Sequence, residues 1–232
     1  MGYRTMGVGR SRPDIFRRFR SPNLNVSEES QDAVIHAHVD QRGNEPPHNH
    51  GPDAGVFVDD NKVYFYAPVT SSTVRELNQA LNALDVEMRC LSIRFGTPEP
   101  FPIELHIHSE GGDLFSGFAA ADTIQGLRSP VHTYVEGSAA SAATLMSVCG
   151  KKRFITRSSL MLIHQLSALM VEGTHEQFRD EFVNQELLMM KIKNIYRART
   201  KLDEETLDDL LKHDLWLDAN KCVELGLVDE VV

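Results

Sequence analysis

From Val56 onward the chain alternates short β-rich runs with longer amphipathic ones, and that alternation limits the fold more than any other feature. The run "KVYFYAPV" is strand-like. Thr73-x-x-Glu76 then reads as a capping box, followed by Val74, Leu77, Leu81 and Leu84 at helical spacing. After a looser stretch, "DVEMRCLSIRFGTPEPFP", the alternation of "IELHIH" suits a strand, and the turn "SEGGD" leads into a helix over about 114–127. Next come a strand "VHTYV", a turn over 136–138, and a small-residue helix that starts near Ser141 and ends at Cys149 and Gly150. The extended runs "RFIT" and "LMLIH" follow. A second capping box, Thr174-x-x-Gln177, opens a long helix to about Arg199, with Phe178, Phe182, Val183, Leu187, Met190 and Ile195 among its apolar positions. The acidic end, "LDEETLDDLLKHDLWLDANKCVELG", reads as helical before a terminal "LVDEVV". This order predicts βαβ units, hence an α/β fold with a mostly parallel sheet covered by helices.

The bulk numbers narrow the class. At 232 residues and 41% apolar content the chain can bury a sizeable core. Cys90, Cys149 and Cys222 are odd in number, widely spaced and without a C-x-x-C, which argues against a disulfide framework or zinc knuckle and for a reducing compartment. No apolar run approaches the roughly 20 residues that span a bilayer. The expectation is a soluble cytoplasmic protein without a metal or cofactor of its own. Charge is uneven: six arginines and one aspartate give residues 1–20 a charge of +5, so the remainder carries −14 of the overall −9. So acidic a body is a poor general binder of nucleic acid. The Arg-rich head also has a faint transit-peptide character, making an organelle matrix the alternative location, although Gly7, Gly9 and Pro13 interrupt any amphipathic helix.

Residues 1–55 read as an N-terminal extension, flexible or partner-binding. They contain one short strand-like run, "AVIHAHV", and a turn-rich stretch, "GNEPPHNHGPDAG". His36 and His38 would share a strand face, but no cysteine or carboxylate framework accompanies them or His48 and His50, and the reading is surface histidines.

Four places could carry chemistry. "EGSAASAATL", residues 136–145, holds four alanines, two serines and a glycine. A hydroxyl at Ser141, beside the unpartnered N–H groups of a first helical turn, would sit next to ready-made oxyanion donors. Close packing explains the same composition. "HSEGGD" offers a glycine pair whose backbone can turn an N–H into a cleft, or simply a tight turn. His164 ends an apolar strand, as a base or as a core histidine. Asp214 lies in an acidic stretch between His213 and Trp216.

Taken together, these residues resemble the Clp protease proteolytic subunit family of serine peptidases (ClpP-like). The counterparts are "GSAASAAT" for the family's nucleophile segment G-x-A-A-S, "MLIHQ" for a strand ending M-I-H-Q, and "SEGGD" for an S-P-G-G turn. "AADTIQGLRSPV" and "ELGLVDEV" extend the match over about Lys62 to Val232. The resemblance implies a ClpP/crotonase-like spiral of βαβ units in a domain over 56–232, with a protruding handle over about 165–199. It implies Ser141 as nucleophile, His164 as general base and Asp214 as the residue that orients the imidazole. The N–H groups of Gly112 and Ala142 would form the oxyanion hole. It further implies polypeptide substrates, a homo-oligomeric chamber built as a heptamer or double heptamer, and a Clp-type ATPase unfoldase as the only link to ATP. Departures are Glu110 for the usual proline, Ser138 for the usual glutamine, "HQLSALMVEG" without the usual glycine pair, and a connection over 85–102 that reads as longer than the family's.

Rival readings stay open at this stage. A self-contained processing protease of the same fold, of viral capsid-maturation type, would suit the unusual head. A crotonase-like acyl-CoA enzyme shares the core and the oxyanion hole but uses no Ser–His–Asp set. A signal peptide peptidase would need a lysine base and an anchor. An inactive ring subunit would have lost triad members.

Overall fold

The computed structural model describes residues 55–167 and 172–232. The head with its histidines and the strand-like "AVIHAHV" lies outside the described residues.

Among the described residues eight strands form one sheet. β1 (Gly55–Asp59) and β2 (Lys62–Tyr66) make an antiparallel hairpin. β2 continues in parallel to β3 (Ile103–Ser109), then to β4 (Val131–Ala140), β5 (Lys152–Ile155) and β8 (Glu230–Val231). β6 (Leu160–Leu162) pairs with the far end of β4, and β7 (Trp216–Asp218) runs antiparallel to β6. Between them lie α1 (Ser71–Phe95), α2 (Leu114–Gly126), α3 (Ala142–Val148), α4 (His175–Arg199), α5 (Glu204–Leu211) and α6 (Ala219–Glu224).

The strands alternate with period two. Val63, Phe65, Leu105, Ile107, Thr133 and Val135 point to the side covered by helices and are fully buried. The intervening residues build a ladder of stacked rings across the other face. Phe57, Tyr64, His106, Tyr134 and Phe154 follow one another at centroid spacings of 5.1, 4.6, 4.8 and 4.7 Å. Glu136 lies at the end of this face, accepting from the Tyr66 hydroxyl and lying 2.8 Å from His106 Nδ1. Burial alone would raise its pKa, but those two partners outweigh burial and lower it.

Three elements differ from the sequence reading. α1 begins a turn early: Thr70, not Thr73, is the N-cap, and Thr73 supplies the N3 half of the capping box. The helix then runs on to Phe95 through the stretch read as loose, because Met88 and Ser92 continue its buried face. It stops at Gly96, whose φ of +67° suits the αL cap. β4 does not end at Val135, since the residues read as a turn are a bulge within the strand. Ile107 pairs with Val135 but Ser109 pairs with Ala139, so His108 alone faces 136–138. Beyond the bulge β4 leaves β5 and takes β6 as its partner. Finally, the acidic end is interrupted by β7.

Candidate active site

Strand register brings the distant residues together. Ala140, the last residue of β4, pairs with Leu162, and the Ser141 N–H donates to the Leu162 carbonyl at 2.9 Å. Leu162 in turn pairs with Trp216 in antiparallel register. Continuing both ladders by two residues sets His164 beside Ala142 on one side and opposite Asp214 on the other. His164 Nδ1 lies 3.3 Å from Asp214 Oδ1. The backbone holds this arrangement, since Gln165 N–H donates to the Leu211 carbonyl at 2.8 Å at the end of α5. The Asp214 side chain is 79% exposed, so its attraction for the imidazole is screened by solvent and contributes little to stability.

Ser141 occupies the single-residue junction between β4 and α3, at φ 52° and ψ −126°. A positive φ is costly for a residue with a Cβ, and such strain collects where a side chain must be presented sharply. The sequence predicts a three-residue turn here; one strained residue does the work instead. α3 behind it is buried from end to end. Thr144 secures it, donating to the Ser141 carbonyl at 2.6 Å and lying 2.5 Å from the buried Tyr196 hydroxyl of α4. The small residues also serve packing: a Cβ on Gly117 of α2 would come within 3.1 Å of the Ala142 Cβ.

The glycine pair lies directly against the serine. A Cβ on Gly111 (φ +90°) would meet the Ala140 carbonyl at 2.6 Å and the Ser141 Cβ at 2.8 Å. Val69 splints the turn, donating to the Gly111 carbonyl and accepting from the Asp113 N–H, both at 2.8 Å. The Gly112 N–H has no acceptor among the described residues. Ala142 is the first residue of α3 and its N–H has no intrahelical partner.

Ser141, Ala142, Gly112 and His164 all line one cleft, whose apolar floor comes from Leu114, Leu145, Ile192 and Tyr196. All the residues expected from the sequence surround this cleft except Asp214, which reaches it through His164. Val69 and Tyr196 were not foreseen. The only trace of Val69 in the sequence is its place at the end of "KVYFYAPV", because its partners are more than 40 residues away. Glu110 and Ser138, the two substitutions beside the expected site, are hydrogen-bonded to each other: Ser138 Oγ donates to Glu110 Oε1 at 2.9 Å.

A hydroxyl on a strained junction, an imidazole in the same cleft and two N–H donors suit acyl transfer to a serine. Comparison with known proteins points the same way. The family model described as Clp protease matches residues 54–232. The ATP-dependent Clp protease proteolytic subunit 1 of Chlamydia muridarum is 31% identical over 181 residues, covering 75% of this chain and 88% of the relative. The corresponding subunit 2 of Treponema denticola is 34% identical over 133 residues, covering 56% of this chain and 66% of the relative. Among solved structures, a ClpP1 mutant from Listeria monocytogenes shares the fold at a TM-score of 0.63 and 21% identity, covering 75% of this chain and 92% of that one.

Proposed function

The chain belongs to the Clp protease family, and from that premise we propose that Ser141, His164 and Asp214 are its catalytic triad. It is a serine peptidase. The observation that carries the assignment is the meeting of Ser141, His164, Gly112 and Ala142 on one cleft, with His164 Nδ1 turned to Asp214.

In this reading His164 Nδ1 faces Asp214 and Nε2 serves Ser141 Oγ. Ser141 Oγ attacks the peptide carbonyl as His164 takes its proton. The oxyanion is met by the N–H groups of Gly112 and Ala142, each worth ~3–4 kcal/mol of barrier. His164 then protonates the leaving amine, and water repeats the sequence on the acyl-enzyme. No cofactor enters these steps.

The working unit we assign is a homo-oligomeric ring, a heptamer or double heptamer enclosing the active sites, with α4 as the handle between rings. The peptidase domain is 56–232 and residues 1–55 are its extension. Two relatives are named as ATP-dependent proteolytic subunits, and that likeness supports an ATPase unfoldase that feeds polypeptides to this chain. No helix among the described residues is long and apolar enough to cross a membrane, in keeping with a cytoplasmic assignment.

A fluorophosphonate probe tests the triad. Labelling of the wild-type protein at Ser141, lost in Ser141→Ala and at least a hundredfold slower in His164→Ala, is the expected result on the usual worth of a triad member. Labelling that persists in Ser141→Ala overturns it.

A further inference from the structure

Ser141 and the Gly112 N–H lie at the ends of two neighbouring strands, and both must reach the same carbonyl carbon and oxygen. A displacement of about 1 Å between such groups costs on the order of a hundredfold in rate. The ladder between β3 and β4 holds this distance only weakly, because it is interrupted where His108 faces 136–138 and resumes for the single pair Ser109–Ala139 before the site.

Side chains bridge the break. Ser138 Oγ donates to Glu110 Oε1 at 2.9 Å. Glu110 immediately precedes the glycine pair, and Ser138 stands three residues before Ser141. His108 fills the bulge from the other strand. Its Nδ1 lies 3.0 Å from the Glu136 carbonyl oxygen and 3.2 Å from the Ser138 nitrogen. Gly137 gives the ring its seat: at φ +76°, a Cβ there would come within 2.6 Å of Nδ1. On the opposite side the Gly137 N–H donates to Ser159 Oγ at 2.6 Å, so the bulge is held from β3 on one side and from the turn before β6 on the other.

We infer that the Ser138–Glu110 hydrogen bond, with His108 seated on Gly137, is a clasp that sets the oxyanion turn against the nucleophile. Glu110 and Ser138 are therefore positioning residues for peptide hydrolysis. The inference rests on the triad reading above. It also gives Glu110 a role that the usual proline could not fill, since a proline at 110 has no side-chain acceptor to offer Ser138.

The test is a double-mutant cycle on the assembled protein with a fluorogenic peptide. Glu110→Ala and Ser138→Ala should each lower kcat about three- to tenfold, the scale of one hydrogen bond, with KM unchanged. The double variant should be no slower than the slower single. Glu110→Gln, which keeps an acceptor oxygen, should return kcat toward wild type. Unchanged kcat in both alanine variants, losses that multiply in the double variant, or a Gln variant as slow as the Ala variant would each overturn the clasp. Amide hydrogen exchange provides a readout independent of catalysis: Glu110→Ala should quicken exchange over 110–113 and 137–142. A wild-type protein that cleaves no peptide counts against the triad reading alone; unchanged exchange in both segments then overturns the clasp.

Discussion

A methyl group at position 112 has nowhere to go. Built on the observed backbone at φ +144°, it would lie 2.3 Å from the Val69 carbonyl oxygen, the atom that accepts the Asp113 N–H. Neither atom belongs to a flexible side chain, so Gly112→Ala must move the turn itself. The donor that would meet the oxyanion moves with it. We expect kcat for a peptide to fall about 10²–10³-fold, the usual cost of losing one oxyanion donor. Gly126→Ala is the matched control, since a Cβ there meets nothing within 4 Å and the position lies in α2. It should leave kcat unchanged and raise stability by up to about 1 kcal/mol through helix propensity. A Gly112→Ala protein with full peptidase activity would remove Gly112 from the oxyanion hole. The sequence shows that this glycine pair follows a strand; it does not show that Ser141 and Val69 leave no room on either side.

The α1 element turns on a carboxylate that reads as an ordinary surface residue. Asp85 is buried, its Oδ1 accepts from the Ser129 N–H at 2.6 Å, and Ser129 is itself buried in the turn before β4. Burial alone would raise its pKa, yet the Ser129 amide and hydroxyl and the Arg89 guanidinium outweigh burial and hold it below the usual carboxylate value. A depressed folded-state pKa stabilises the fold above the unfolded-state value of about 4, and that stabilisation is lost as pH falls through the folded-state value. Asp85→Ala should cost about 1–3 kcal/mol in urea unfolding at neutral pH, by leaving the Ser129 N–H unpaired. The gap from wild type should narrow below about pH 4. An equal gap at both pH values would refute the assignment to the charged form. The same residue explains why half of α1 was illegible. Past Leu84 its buried face is Asp85, Met88 and Ser92 rather than aliphatic residues, and Ser92 Oγ accepts the Phe101 N–H at 2.9 Å. Elements with ordinary patterning, β2, β3, α2 and α4 with its capping box, fell where their sequences put them. β7 and the outer end of β4 did not, because β7 pairs only with β6 and the end of β4 depends on β6 and on the single pair Ser109–Ala139. The residues that meet at the candidate cleft were legible by contrast, since they stand next to short patterned strands and turns. Only the splints behind it, Val69 and Tyr196, were not.

At the scale of the whole molecule, α4 is a helix of which the described residues cover only one end. Of its 25 residues only Ile192 and Tyr196 are buried. Phe178, Phe182, Val183, Leu187 and Met190 remain exposed, with Phe182 and Val183 more than 60% accessible. An unsupported helix of this kind is marginal in water even with a good cap, because most helical stability comes from packing an apolar face. So much exposed apolar surface on one arm is the mark of an interface. The proposed ring assembly covers it with the same arm of another subunit, placing each Phe182 in an apolar contact. Phe182→Asp would bring a charge into that contact while leaving the subunit core, to which Phe182 contributes nothing, intact. Sedimentation velocity should therefore show Phe182→Asp as smaller particles than wild type at equal concentration, with the unfolding midpoint of wild-type subunits dissociated under the same conditions. Glu186→Gln, a change in net charge on the same helix without a buried apolar contact to lose, should sediment as wild type. Full-sized particles from Phe182→Asp would take α4 out of the assembly interface and leave its apolar arm to some other partner.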